Sequence, residues 1–296
     1  MESHAEKRTM RPVLILAVLF CLAVPATASA KPLVGIGDNV ASSYSDPAMK
    51  KLKKLKLARL VVSWDWYKNP YDRYVATTWL RAVKKAHMRP MVTFTRRWDR
   101  KGKRKIPSVK AYKKSFKKFR KAHKSVRDFS PWNEPNAPEQ PFTNKPAAAA
   151  KLYNAMRSVC RKCTVTAGDV YDNKNMVSWT RKYQRKIKGR PKVWAMHNYK
   201  DATRKRGTTR QFLAITRGPV WITETGGLRN RGGLKGQAKA VKRVFALAQQ
   251  NKRIARIYFY QWVHRDDRTW DSAFLSANGK KRPAYYALKK GLKKAR

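Results

Sequence analysis

Apolar blocks of five to seven residues alternate along this chain with longer stretches in which apolar positions recur every three or four residues among lysines and arginines. Eight blocks read as strands: 33–37, 58–64, 89–95, 126–132, 163–168, 192–197, 219–223 and 255–261. Several are β-branched or aromatic throughout, the pattern of strands covered on both faces. Their starts lie 25, 31, 37, 37, 29, 27 and 36 residues apart. A parallel strand–helix–strand unit takes roughly 30 residues, so crossover helices fit between them.

The intervening segments read as helices. Residues 47–57 carry Met49, Leu52 and Leu55, and 71–87 carry Tyr74, Val75, Trp79, Leu80 and Val83. Residues 108–123 follow Pro107 and carry Tyr112, Phe116 and Phe119. Residues 145–159, 174–187, 208–216, 236–250 and 283–294 complete eight. In the clearest of these one stripe is apolar and the remaining faces are rich in Lys and Arg. Eight strands each followed by a helix predict an α/β protein, a (β/α)8 TIM barrel, as a single domain over residues 31–296. A doubly wound open sheet is the alternative that periodicity leaves.

Residues 1–30 read as a secretory signal peptide. Lys7, Arg8 and Arg11 precede an apolar run over 12–24, Pro25 breaks it, and Ala28-Ser29-Ala30 supplies a small-residue cleavage pattern. The run is too short to span a bilayer, and Cys21 lies within it rather than at its end, which argues against a lipid-anchored cysteine. No internal membrane span is expected, and the chain is expected to be secreted and monomeric.

Charge changes the picture. The chain has 70 Lys+Arg against 17 Asp+Glu, a formal net charge of +53. Removing residues 1–30 takes away three basic and two acidic residues and leaves +52, so the charge belongs to the folded part. Hydrophobic residues at 42% rule out a disordered polycation. No phosphate-loop or dinucleotide-binding glycine pattern is present. Nor is there a zinc-finger, helix-turn-helix or RNA-recognition pattern, so specific nucleic-acid readout is not expected.

Acids are scarce enough for their positions to inform. Beyond residue 30 there are three glutamates: Glu134, Glu139 and Glu224. Glu134 lies in Ser130-Pro131-Trp132-Asn133-Glu134-Pro135-Asn136, directly after the fourth strand. Glu224 lies in Trp221-Ile222-Thr223-Glu224-Thr225-Gly226-Gly227, at the end of the seventh. Both are at strand C-termini, the barrel face that carries active sites. Strands four and seven face each other across the mouth, and a facing carboxylate pair is what glycosidic cleavage needs. A helix cap at Glu134 and an arginine partner for Glu224 are the structural alternatives.

Asn-Glu-Pro after strand four, His-x-Tyr after strand six and Thr-Glu-Thr-Gly after strand seven resemble clan A glycoside hydrolases, retaining (β/α)8 enzymes such as cellulases, mannanases, xylanases and xylosidases. The ending 271–288, with Lys281-Arg-Pro-Ala-Tyr-Tyr-Ala-Leu288, fits the same resemblance. It implies a β-linked glycan as substrate, Glu134 as general acid/base and Glu224 as nucleophile, with no cofactor and no metal. It also implies that Asn133 bonds the substrate 2-hydroxyl and that Arg59 holds the nucleophile ionised. His197 and Tyr199 match the clan's site pair, its Tyr bonding the nucleophile, and Trp262 matches its aromatic platform under the sugar. The set expected around the substrate is therefore Asn133, His197, Tyr199, Trp262 and Arg59.

Other residues remain open between roles. Trp64, Trp66, Trp98 and Trp132 suit core packing and sugar contact equally, whereas Trp79, Trp179 and Trp194 are expected in the core. Asp38, Asp65, Asp99, Asp169, Asp172, Asp201, Asp266 and Asp267 follow strand ends, where they either gather into an acidic mouth or form loops and caps. Cys160 and Cys163 are a disulfide candidate that closes a very small loop, with zinc and redox readings less favoured. The charge suits attraction to an anionic wall or matrix polymer, with basic loops at 98–105 and 200–206 near the mouth. Two functions fit: a secreted retaining glycosidase, and a cationic barrel that binds glycan without turnover.

Overall fold

A computed structural model of the protein describes residues 31–99, 105–265 and 270–295. The expected leader 1–30, Asp266, Asp267 and residues 100–104 of the basic loop lie outside the described residues. The strands are β1 (Leu33–Gly37), β2 (Leu55–Ser63), β3 (Arg89–Thr95), β4 (Asp128–Ser130), β5 (Thr164–Val165), β6 (Ala167–Tyr171), β7 (Trp194–His197), β8 (Val220–Thr225) and β9 (Ile254–Tyr260). They form one parallel sheet in the order β5-β4-β3-β2-β1-β9-β8-β7-β6. Its two ends are joined by a single residue, Thr166. The Thr166 N–H donates to Phe129 O at 2.9 Å and the Ala167 N–H to Val193 O at 2.9 Å. The chain thus steps from the β4 ladder to the β7 side within one residue, and β5 with β6 is the expected fifth strand, closing a (β/α)8 barrel.

The helices are α1 (Pro47–Lys50), α2 (Pro70–Lys85), α3 (Val109–Ala122), α4 (Pro146–Val159), α5 (Met176–Gln184), α6 (Tyr199–Arg204), α7 (Thr208–Ile215), α8 (Gly233–Gln250) and α9 (Pro283–Leu292). Local chemistry sets their starts: the Asn69 side chain accepts from Tyr71 N ahead of α2, and Ser108 accepts from Ala111 N at α3. Phe116 and Phe119, spaced along one face of α3, are fully buried against Phe94 and Phe129.

Two expectations need correction. The helix over 47–57 is a single turn, because Leu55 and Leu57 enter β2, pairing in parallel with Val34 and Gly35, while Lys56 faces solvent. The basic segment 200–206 is mostly helical, forming α6.

The barrel interior is layered. At the bottom Leu57, Met91, Val193, Trp221 and Tyr258 pack together. Arg256 lies 3.7 Å over the Trp221 ring and bonds Asp128 at 2.6 Å, which also takes a 2.6 Å bond from Arg89. Two residues further along the strands the layer is polar, with Arg59 from β2, Thr93 from β3 and Thr223 from β8, all buried. That alternation follows from the two-residue repeat of a strand. Trp79, Trp179 and Trp194 are core residues, as expected. Cys160, at the end of α4, and Cys163 are joined in a disulfide with Cα atoms 5.3 Å apart.

Candidate active site

The site stands on the polar layer. Arg59 is 1% exposed, and its guanidinium serves four oxygen acceptors, with His197 Nε2 also 3.3 Å from Nη2. Nε donates to Thr93 Oγ1 at 3.1 Å, Nη1 to Glu224 Oε2 at 2.7 Å, and Nη2 to Asn133 Oδ1 at 2.7 Å and Asp169 Oδ2 at 2.9 Å. Burial by itself would discharge Arg59, but Asp169 and Glu224 outweigh it and hold the cation above its ordinary range. Burial likewise opposes charge on Asp169, yet Arg59 and His197 keep its carboxyl well below the usual range. The Thr223 hydroxyl also donates to Asp169.

His197 bridges the layer to the mouth. Its Nδ1 lies 2.8 Å from Glu134 Oε1, and its Nε2 lies 3.4 Å from Asp169 Oδ1. Burial favours the neutral ring, but Glu224, Asp169 and Glu134 reverse this and raise His197 to about 10. At neutral pH it is therefore an imidazolium that donates to Glu134. Glu134 itself is pushed up by burial and by Glu224, with His197 opposing. Tyr199 donates its hydroxyl to Glu224 Oε1 at 2.9 Å, and its pKa stands well above the ordinary value, first through burial and then through Glu224. One oxygen of Glu224 is thus bonded by a cation and the other by a neutral hydroxyl.

Glu134, His197 and Glu224 bring one donor atom each within 4.8 Å of one another. Such a trio suits a cation, but Arg59 and the imidazolium of His197 already supply the positive charge there.

Backbone irregularity aims these groups. Trp221 and Thr223 face the barrel interior, so strict alternation would turn Glu224 toward the helices. Ladder shifts between Met196 and His197, and between Ile222 and Thr225, re-aim it to the mouth. Glu134 and Asp169 adopt φ of 46° and 78°, a left-handed region costing about 1–3 kcal/mol for such residues. Both are held there: Glu134 N–H donates to Asp169 O at 3.1 Å, and the Asp169 side chain bonds Arg59. Gly226, next to the carboxylate strand end, is required by close approach, since a Cβ would sit 2.7 Å from Tyr260 O.

Above the carboxylates lies a cleft of about 620 Å³ lined in part by Asn133, Tyr71, Trp98, Tyr260 and Trp270. Trp98 is 56% exposed. Trp64, Trp66 and Trp132 are buried, which resolves them as core.

Six expected residues converge: Arg59, Asn133, Glu134, His197, Tyr199 and Glu224. Arg59, His197 and Tyr199, though, are buried and contact the carboxylates, and of the three Arg59 alone lines the cleft. Trp262 must be corrected. It is 0% exposed and packs on Phe274 and Tyr285, so it offers no face to a sugar. Trp270, edge-on to Tyr199 at 4.9 Å, lines the cleft instead.

Several of the strand-end acids hold loops together. Asp38 accepts from Val40 and Trp262 N–H groups, Asp201 from Gly207 and Thr209, and Asp65 from the Ser63 hydroxyl. Asp169 is the functional-layer residue that sequence reasoning grouped with loop acids. Its one signal was a strand-end position next to Gly168.

Residues 64–286 match the glycosyl hydrolase catalytic core family. No curated protein matches the chain in sequence. Among solved structures the chain is similar to a GH5_18 from Bifidobacterium longum subsp. infantis, at 14% identity and TM-score 0.66, covering 90% of this chain and 80% of that one. It is similar to an endo-beta-1,4-glucanase from Xanthomonas axonopodis pv. citri at 14% identity and TM-score 0.65, covering 89% and 100%. It is also similar to a family 39 glycoside hydrolase from Bacteroides cellulosilyticus WH2, at 13% identity and TM-score 0.63. There it covers 89% of this chain but spans 64% of the other's length.

Proposed function

The chain belongs to the glycosyl hydrolase catalytic core family, with the fold of the clan A glycosidases, and from that membership we propose an exported, retaining glycosidase that acts on a β-linked glycan through Glu224 and Glu134. The observation that carries the reading is the asymmetry of the two carboxylates. Glu224 accepts from the Arg59 guanidinium through one oxygen and from the Tyr199 hydroxyl through the other, which fixes its orientation as the nucleophile. Burial and the facing carboxylate raise Glu134, which favours the protonated acid. One oxygen of each lies within 4.8 Å of one of the other, so the two carboxylates flank the same point of the cleft.

In the first step Glu224 attacks the anomeric carbon while Glu134 gives its proton to the departing glycosidic oxygen. This forms a glycosyl-enzyme ester. In the second, the Glu134 carboxylate takes a proton from water, which attacks the same carbon and releases Glu224. His197, donating to Glu134, follows the change in its charge across the two steps. Asn133 commits its carbonyl to Arg59, leaving its NH2 as the donor for a sugar hydroxyl. The leader and the charge support export and retention near an anionic wall polymer.

Azide rescue tests the roles. Glu224→Ala should abolish turnover of an aryl β-glycoside, and azide should restore release as an inverted α-glycosyl azide. Glu134→Ala should still form the glycosyl-enzyme from an activated aryl glycoside, and azide should release it as a β azide of retained configuration. Opposite configurations would reverse the two roles. Full activity in both variants would remove the chemistry from this site.

A further inference from the structure

Glu134, after β4, and Glu224, on β8, divide the barrel mouth into two halves. The cleft of about 620 Å³ lies over β9, β1, β2 and β3, and a second pocket of about 410 Å³ lies over the ends of β6, β7 and β8. Tyr199, whose hydroxyl bonds Glu224, lines the second pocket. So does Tyr171, whose backbone N–H bonds Asn136 Oδ1, two residues beyond Glu134, at 2.8 Å.

Among the described residues the two halves differ in charge. In a chain with 70 Lys+Arg the described lining of the larger cleft has two cations, Arg59 and Arg265, and three acids, Asp72, Glu134 and Glu224, while the basic segment 100–104 beyond Trp98 lies outside the described residues. The second pocket is lined by Lys174, Lys200, Arg204, Arg206 and Arg231, and none of these forms an ion pair among the described residues. One acid, Asp172, lies among them. Its Oδ2 accepts from Lys200 N, Asp201 N and the Thr208 hydroxyl, while its buried Oδ1 has no partner among the described residues. Burial pushes Asp172 up to about 7, which lessens the negative charge it sets among the cations near neutral pH. Three guanidinium-bearing and two ammonium-bearing side chains thus line one recess. Arginine in particular pairs with planar or tetrahedral oxyanions through two parallel bonds.

We propose that this pocket is a subsite for an anionic sugar, so that the glycan cleaved at Glu134 and Glu224 carries an acidic residue over β6–β8. The inference rests on the proposed carboxylate roles for the position of the bond, and on the pocket alone for the charge. Two sources share this chemistry, a uronic acid and a phosphorylated sugar.

Titration calorimetry on the full chain carrying Glu134→Gln, in ~0.3 M salt to screen diffuse attraction, tests it with trigalacturonate, glucose 6-phosphate and cellotriose. At least one anionic probe should bind more tightly than cellotriose. Lys200→Ala with Arg231→Ala should weaken that probe by about 10-fold or more, since two charge-assisted bonds are lost. Lys114→Ala with Lys117→Ala, on the exposed face of α3, should leave it unchanged. Pocket-dependent binding of trigalacturonate alone assigns a uronate, and of glucose 6-phosphate alone a sugar phosphate. Equal loss in the α3 control, no loss in the pocket variant, or no preference over cellotriose would overturn the subsite. Those results leave the azide outcomes untouched. Pocket-dependent anion binding in a protein that turns over no glycoside would instead overturn the catalytic reading alone.

Discussion

His197 shows how one side chain links the fold to the proposed chemistry. It is a buried cation between Asp169 and Glu134, and its charge lowers the Glu134 pKa that burial raises. In His197→Gln that opposition is gone, so Glu134 should hold its proton to higher pH. The alkaline limb of kcat/KM for an aryl glycoside should therefore move upward, with a lower maximal rate. A limb that stays fixed or moves down would mean that His197 does not act on Glu134. Stability carries the same signature. The folded His197 pKa of about 10 lies above its ordinary 6.5, so its stabilisation is present in full below ~6.5 and is lost as pH rises through about 10. The stability difference between parent and variant should shrink over that interval in urea unfolding.

Among the elements, the helices and most strands follow from apolar spacing, and the departures have identifiable causes. Residues 55–57 carry a leucine–lysine–leucine alternation that reads as either period, and pairing with β1 decides for strand. Tyr199–Arg204 becomes helical where basic residues alone suggested a loop. The C-terminal helix shows how little slack the packing leaves. Gly291 of α9 lies against the Phe245 ring of α8, where an added Cβ would collide. Phe245 is buried and rests on Phe259 at 5.5 Å, so it has little room to yield. Gly291→Ala should cost about 1–3 kcal/mol by overpacking and lower Tm by several degrees, with activity at low temperature retained. An unchanged Tm would show that the α8–α9 seam can relax.

At the scale of the whole molecule the question is what a net charge of +53 does. Much of it lies on the helix exteriors: α3 alone carries Lys110, Lys113, Lys114, Lys117, Lys118, Arg120 and Lys121. Exposed charges at this density attract polyanions and are screened within ~4–5 Å at ~0.5 M salt. Binding of the full chain to a purified anionic wall polymer should fall steeply between low salt and ~0.5 M in a pelleting assay. Turnover of a small neutral aryl glycoside should barely change over the same range. Equal salt sensitivity of both would place the working cations inside the site and end the localisation idea.

The sequence by itself determined the barrel, because strand and helix periods, spacing and capping residues are local properties of the chain. It also marked Glu134 and Glu224, since carboxylates are so rare here that two at strand C-termini stand out. Arg59, Asn133, His197 and Tyr199 were legible through the motifs around them. Tertiary structure alone decided which way these groups point. Ladder shifts turn Glu224 into the mouth against the strand's alternation, and positive φ at Glu134 and Asp169 survives only because partners far away in sequence hold it. It decided that Trp262 is core and Trp270 lines the cleft, since both follow the same strand and only packing separates them. It drew Asp169 out of a series of similar strand-end acids, because its worth comes from Arg59 and His197, 110 and 28 residues away along the chain. Convergence of distant residues is a property of the closed barrel, and no local pattern encodes it.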